Sequence, residues 1–263
     1  MLLTLSTQSL AKKVSANGED FSMLDVPDYT IRQLQLRGLS VSASMLSGWS
    51  LEMLDQLRDR ADKAACPCLV LVEDKPLPLG APSDRKRQTA FERVERLGAA
   101  ANRLGCNGLA IKVDAPDTDE AFERVADEFR KAMRAVERQE LNILLMPHDG
   151  LTQDPDRLTE LIKRVGGFRI GSLPTFAHAE STGNAAEALR KLAPYAGAIH
   201  ASVGPFTKAG KHSGCDLKAC VAAIRAVGFV NTLAIEFTGT GDPIASIEQA
   251  REQLQAALDA EVQ

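Results

Sequence analysis

Short apolar runs rich in β-branched residues recur along the chain, and each is followed by a longer segment of helical spacing. The runs begin near Leu2, Leu39, Cys68, Gly108, Asn142, Phe168, Ala198 and Thr232. Between them, Phe91, Val94, Leu97, Ala101 and Leu104 fall three and four residues apart. The same spacing relates Phe122, Val125, Phe129, Ala132, Met133 and Val136, and then Leu158, Leu161, Ile162 and Val165. It lays a narrow apolar stripe along one side of a helix and charge along the other, as suits a helix resting on a sheet.

The punctuation fits this alternation. Asp154-Pro155 and Asp242-Pro243 place a capping carboxylate before a proline at the first helical position. Gly38, Gly105 and Gly167 stand after helical segments and before strands, where a left-handed C-cap is expected. Strand starts are roughly 25–40 residues apart, the length of one βα unit. Eight such units imply parallel pairing, because each crossover helix returns the chain to the same edge. An open doubly wound sheet normally has a glycine-rich turn after its first strand. Here that strand runs into Ser6, Thr7, Gln8 and Ser9. The pattern therefore predicts an α/β fold, a closed (β/α)8 TIM barrel, with residues 1–263 as a single domain. Gln8 to Pro27 and the proline-rich Lys75 to Ser83 are its longest connections, either lids over the barrel mouth or plain surface loops.

Composition narrows the setting. Hydrophobic residues at 44% and charged residues at 25% support a sizeable core. A net charge of −4 argues against nucleic acid as a partner. Five cysteines without a C-x-x-C pair read as reduced, mostly buried thiols of a cytoplasmic protein. Met1 to Ser6 lacks the features of a signal peptide, and no apolar run approaches the ~20 residues a membrane span requires.

In such a barrel, chemistry sits where strands end. The polar residues there are Ser42 and Ser44, Glu73 and Asp74, Lys112 and Asp114, His148 and Asp149, Thr175 and His178, His200 and Ser202, and Glu236 and Thr238. All four histidines (His148, His178, His200 and His212) fall at or beyond the ends of strands five to seven, an arrangement suited to a divalent metal or to proton transfer near neutral pH. Glu236 closes an apolar strand and faces either the mouth or the helical layer; burial there is costly without a partner or ligand. Glu73-Asp74 reads as a solvated strand end or a substrate contact. Lys208 and Lys211, among Gly204, Gly210 and Gly214, form a basic loop that either closes on a phosphate or is simply solvated. Gly239 to Pro243 is likewise either an anion site at a helix N-terminus or a capped turn.

Several of these segments together resemble the xylose-isomerase-like TIM barrel superfamily, the sugar phosphate isomerase/epimerase barrels, of which this chain looks like a divergent member. Leu144-Leu145-Met146-Pro147-His148-Asp149-Gly150 resembles the family's fifth-strand segment. Gly171 to His178 resembles the sixth, Ala198-Ile199-His200-Ala201-Ser202 the seventh, and Leu233 to Pro243 the eighth. The resemblance implies a sugar or sugar-phosphate isomerase/epimerase that moves a proton beside a carbonyl. Its alternative is a non-catalytic barrel that binds a carbohydrate-like ligand or a partner protein. From their places at the strand ends and in the loops beyond, Glu236, His200 and His148 are the candidate catalytic residues, and His178, Lys208, Lys211, Glu73 and Lys112 the candidate substrate contacts.

The family's metal ligands are a glutamate, an aspartate, a histidine and a glutamate on strands five to eight. Carried over, they fall on Met146, Thr175, His200 and Glu236, so two are replaced. A divalent metal (Mg, Mn or Zn) would then rest on His200 and Glu236 with help from His148 or His178. A thioether and a neutral hydroxyl are poor ligands for hard cations. Glu236 remains as a single base, which suits an aldose–ketose shift better than epimerisation. If Met146 and Thr175 face an open mouth, Glu and Asp there should cost little folding energy.

Overall fold

The computed structural model describes residues 1–14, 21–207, 210–212 and 214–260. Eight parallel strands form one sheet: β1 (Leu2–Ser6), β2 (Leu39–Ser42), β3 (Cys68–Val72), β4 (Gly108–Lys112), β5 (Asn142–Met146), β6 (Ile170–Ser172), β7 (Ala198–Val203) and β8 (Thr232–Phe237). Their order is β6-β5-β4-β3-β2-β1-β8-β7, so the first and last strands pair. Only the β6–β7 seam lacks a ladder. It is joined by isolated bridges, Ser172 to Ala196 and Thr175 to His200. There Gly197 N–H donates to Ser172 O at 3.1 Å and His200 N–H to Pro174 O at 3.0 Å. The sheet curls into the (β/α)8 barrel that the alternation implies.

The described residues contain nine α-helices: α1 (Val26–Arg32), α2 (Leu51–Lys63), α3 (Asp84–Leu104), α4 (Asp119–Val136), α5 (Pro155–Val165), α6 (Phe176–Ser181), α7 (Ala185–Leu192), α8 (Leu217–Ala226) and α9 (Pro243–Asp259). Their starts follow the capping chemistry in the sequence. Asp154 accepts from the N–H groups of Asp156 and Arg157, and Asp242 from that of Ile244. On α4, Phe122, Val125, Phe129, Ala132 and Val136 are buried, so the apolar stripe read from the sequence is the face against the sheet. Burying Phe129 alone contributes about 1.5–3 kcal/mol.

Local expectations are adjusted in five places. Strand β6 begins at Ile170, and Phe168 is fully exposed because the Gly166-Gly167 turn carries it outside the sheet. The α5 cap is Gly166, one residue before the expected one, whereas Gly105 caps α3 in the left-handed region as expected. Gly38 caps no helix; its φ of +154° is one that L side chains rarely adopt, and a Cβ there would press on the Leu69 side chain. The Lys75–Ser83 segment is pinned as a wall: Leu77 bridges to Val113, and Leu77 and Leu79 are buried. Of the Gln8–Pro27 connection, a 3-10 turn spans Thr7–Leu10 and Pro27 lies inside α1.

Two cores result. The larger lies between strands and helices, and a smaller apolar cluster of Val70, Val72, Ala110, Leu144, Met146, Leu173 and Ala198 fills one side of the barrel interior. The other side is polar. Thr4, Ser6, Ser40, Ser42, His200 and Ser202 are all buried, on β1, β2 and β7, at positions that alternate with the helix-facing residues. All five cysteines are free and buried. Among the described residues, no helix is long and apolar enough to cross a membrane.

Candidate active site

The polar half of the interior converges on His200. Its Nε2 lies 2.8 Å from Ser40 Oγ, a contact between β7 and β2 that can only cross the barrel. Its Nδ1 stands 3.3 Å from Glu236 Oε1, close enough for charge attraction but short of a well-aligned hydrogen bond. Ser6 Oγ–H donates to the same Oε1 at 3.2 Å. His200 is 1% exposed, whereas the Glu236 side chain keeps 19%, so the glutamate is the member of this chain that meets the mouth. Both described partners hold Oε1, which leaves Oε2 as the free atom.

Burial pushes the Glu236 carboxyl up. Attraction to His200, the hydroxyl of Ser6 and the Lys112 ammonium outweigh it and hold the group below the usual carboxylate range. The carboxylate is therefore ionised at neutral pH although it is nearly enclosed. Lys112 follows Ala110 on the inward face of β4 and is paired in register with Met146. Asp74, also on an inward parity, takes the Ser42 hydroxyl at 2.6 Å and the Ser44 N–H at 3.0 Å.

The remaining candidates are scattered. Glu73 is buried and faces outward, where Arg93 Nε donates to Oε2 at 2.6 Å and Lys75 N–H to Oε1 at 3.2 Å. Glu73 and Asp74 are consecutive, just past the end of β3, and bond to different partners, Arg93 on α3 and Ser42 on β2. His178 Nε2 lies 2.7 Å from Gln153 O; the carbonyl cannot donate, so Nε2 carries the proton and the buried Nδ1 has no partner. His148 is half-buried, and its backbone N–H donates to Thr152 Oγ1. His212 ties a loop together, with Nδ1 donating to Cys215 O and Nε2 accepting from Gly204 N–H, each at 2.9 Å. Lys211 is exposed, on an outer cavity beside α9. Lys208 lies outside the described residues.

These donors do not fit a hard dication. Both His200 nitrogens are turned toward protein groups, and Met146 is sealed in the apolar half at 3% exposure. Thr175 Oγ1 caps α6 by accepting from His178 N–H. Among the described residues, no group of three or more His, Cys, Asp or Glu side chains could hold a metal ion. No step is therefore drawn through one.

Sequence reasoning missed Ser6 and Ser40. The available signal was parity, since Thr4 and Ser6, and Ser40 and Ser42, are small polar residues on alternate positions inside strands, where apolar ones are usual.

A profile described as "Xylose isomerase-like TIM barrel" matches residues 31–259. No curated protein sequence matches the chain. Among solved structures, an L-ribulose 3-epimerase superposes with a TM-score of 0.82 at 15% identity, covering 98% of this chain and 95% of that one. The apo form of 3-keto-D-glucoside 4-epimerase, YcjR, from E. coli gives 0.78 at 15% identity, covering 97% and 99%. An IOLI protein with a binding zinc atom gives 0.73 at 14% identity, covering 98% and 96%. At such identities the likeness establishes the fold.

Proposed function

Since the chain belongs to the xylose isomerase-like TIM barrel family, we propose that it is a sugar or sugar-phosphate isomerase/epimerase that transfers a proton beside a carbonyl at the barrel mouth. The observation that carries this reading is Glu236: ionised, nearly enclosed, fixed through Oε1 and free at Oε2. A carboxylate so held is a general base aimed at one face of a bound substrate.

In this mechanism Oε2 removes the proton from the carbon next to the carbonyl. Negative charge then develops on the carbonyl oxygen, and the Lys112 ammonium, which already pulls on Glu236, stabilises it. The hydroxyl proton on the carbon that lost its hydrogen passes to the charged oxygen, and Glu236 returns its own proton to the former carbonyl carbon on the same face, which completes an aldose–ketose shift. His200 acts as a positioning residue, because it is too buried to touch substrate. His148, half-buried just past the strand-five end, is placed against a sugar hydroxyl, whereas the His178 Nδ1 is buried and its Nε2 is taken by the Gln153 carbonyl. Epimerisation through a second base is disfavoured, since Met146 occupies the strand-five position.

The test is a panel of aldoses, ketoses and their phosphates, incubated with protein in the presence and absence of a chelator. Interconversion of one pair that persists with chelator is expected. A second reading is favoured by the sealed Met146, namely a barrel that binds a carbohydrate-like ligand without converting it. Saturable sugar binding with no turnover of any panel member would select it.

A further inference from the structure

Outside the barrel, between α2, α3 and the loop that follows β2, lies a cavity of about 520 Å³. Its floor is apolar, with Leu71 and Leu97 buried beneath it. Its walls carry Trp49, the sole tryptophan of the chain, together with Lys75, Arg93, Arg96 and Glu73. Glu73 is 3% exposed and has no part in the proposed proton transfer. Its two oxygens are both taken, one by Arg93 Nε and one by the Lys75 N–H.

That pairing has a consequence for the cations. Glu73 grips Arg93 by Nε alone, so the Nη donors of the guanidinium remain available at the cavity. Lys75 and Arg96 have no acidic partner among the described residues. Three cations against one buried carboxylate leave a surplus of two positive charges around a half-buried indole. A phosphomonoester near neutral pH carries close to two negative charges and several acceptor oxygens, and arginine matches it bidentately. An indole face accepts a ring.

We propose that this cavity is a binding site for a small phosphorylated molecule, with the phosphate held by Lys75, Arg93 and Arg96 and the attached ring lying on Trp49. Glu73 is the residue that sets Arg93 in place. The site is separate from the barrel mouth. Glu73 and Asp74 are consecutive, but Glu73 bonds to Arg93 whereas Asp74 holds Ser42 and Ser44.

Glucose 6-phosphate, inorganic phosphate and glucose serve as probes, titrated at constant ionic strength by calorimetry with Trp49 fluorescence followed in parallel. Expected is saturable binding of glucose 6-phosphate, a fluorescence change in step with it, and no response to glucose. Inorganic phosphate should bind with little fluorescence change, since it brings no ring. Lys75 and Arg96 are exposed, so a Lys75→Ala/Arg96→Ala variant should fold normally by circular dichroism and bind at least tenfold more weakly. Absence of binding heat at millimolar glucose 6-phosphate overturns the proposal. Equal affinity in the folded double variant, or an equal response to glucose, does so as well.

Discussion

Ser40 Oγ and His200 Nε2 stand 2.8 Å apart across the barrel interior. The serine hydroxyl can donate to Nε2 or accept from it. The Glu236 carboxylate near Nδ1 offers only acceptors, which favours an Nδ1–H ring with Nε2 accepting from the hydroxyl. A hydroxyl, an imidazole and a carboxylate thus form one line from the buried middle of the barrel to its mouth. This order is the reverse of a serine nucleophile's, because here the carboxylate is the exposed end.

Ser40→Ala strips Nε2 of its partner in a closed space. An unsatisfied buried nitrogen costs about 1–3 kcal/mol, and urea unfolding should show a loss of that size. Nitrogen-15 shifts of His200 should report the Nδ1–H tautomer in the wild type. A thermally neutral Ser40→Ala would show that the hydrogen bond is weak or water-replaced.

Positions 146 and 175 should respond oppositely to acidic residues. Met146 packs against Val72, Ala110 and Leu144, so Met146→Glu buries a carboxylate among hydrocarbon and should cost about 2–4 kcal/mol, less if Lys112 reaches it. Thr175 caps α6, and aspartate caps as well as threonine, so Thr175→Asp should be close to neutral while Thr175→Ala costs about 1 kcal/mol. The sequence reading made low cost conditional on both residues facing an open mouth, a condition the buried Met146 does not meet. Denaturant melts of the three variants check the order.

His178 carries the clearest pH signature. Burial pushes its imidazole below the ordinary value of 6.5, and the Gln153 carbonyl opposes this only in part. The unfolded chain then binds the proton more readily than the folded one. Its contribution to stability is complete above pH 6.5 and is lost as pH falls toward the folded value. Against a His178→Gln reference, the wild type should lose stability faster below pH 6.5, and the His178 ring protons should titrate below that value. A titration above 6.5 would contradict this.

The five thiols should separate by reactivity. Burial pushes Cys66 and Cys68 up to about 12. Cys215 goes the other way, drawn down first by the Cys220 thiol and then by His212 against the effect of burial. It also lines the outer cavity beside α9. Iodoacetamide at pH 7 followed by peptide mapping should mark Cys215 first and leave Cys66, Cys68 and Cys106 unmodified. Labelling of Cys66 at a comparable rate would contradict that ordering.

The barrel was legible because its evidence is repetitive: periodic stripes, capped helix starts and eight evenly spaced runs. Single-residue consequences were less so. Glu73 and Asp74 are adjacent and chemically alike, and only their partners in space, Arg93 for one and Ser42 with Ser44 for the other, tell them apart. Ser40 belongs to a pair of side chains 160 positions apart in sequence, and no local pattern announces such a contact. The four histidines cluster along the chain, yet each bonds to a different part of the fold: His200 to Ser40, His178 to Gln153, His148 to Thr152 through its backbone, and His212 to its own loop. His212 shows this best, with both nitrogens bonded to backbone.

Solvent-deuterium exchange bears on the role of Glu236. Wild-type protein, incubated in D2O with the aldose or ketose it interconverts, should place deuterium on the carbon beside the carbonyl, and a folded Glu236→Gln variant should lose this by at least about a hundredfold. Wash-in that continues undiminished in Glu236→Gln would contradict the assignment of Oε2 as the base.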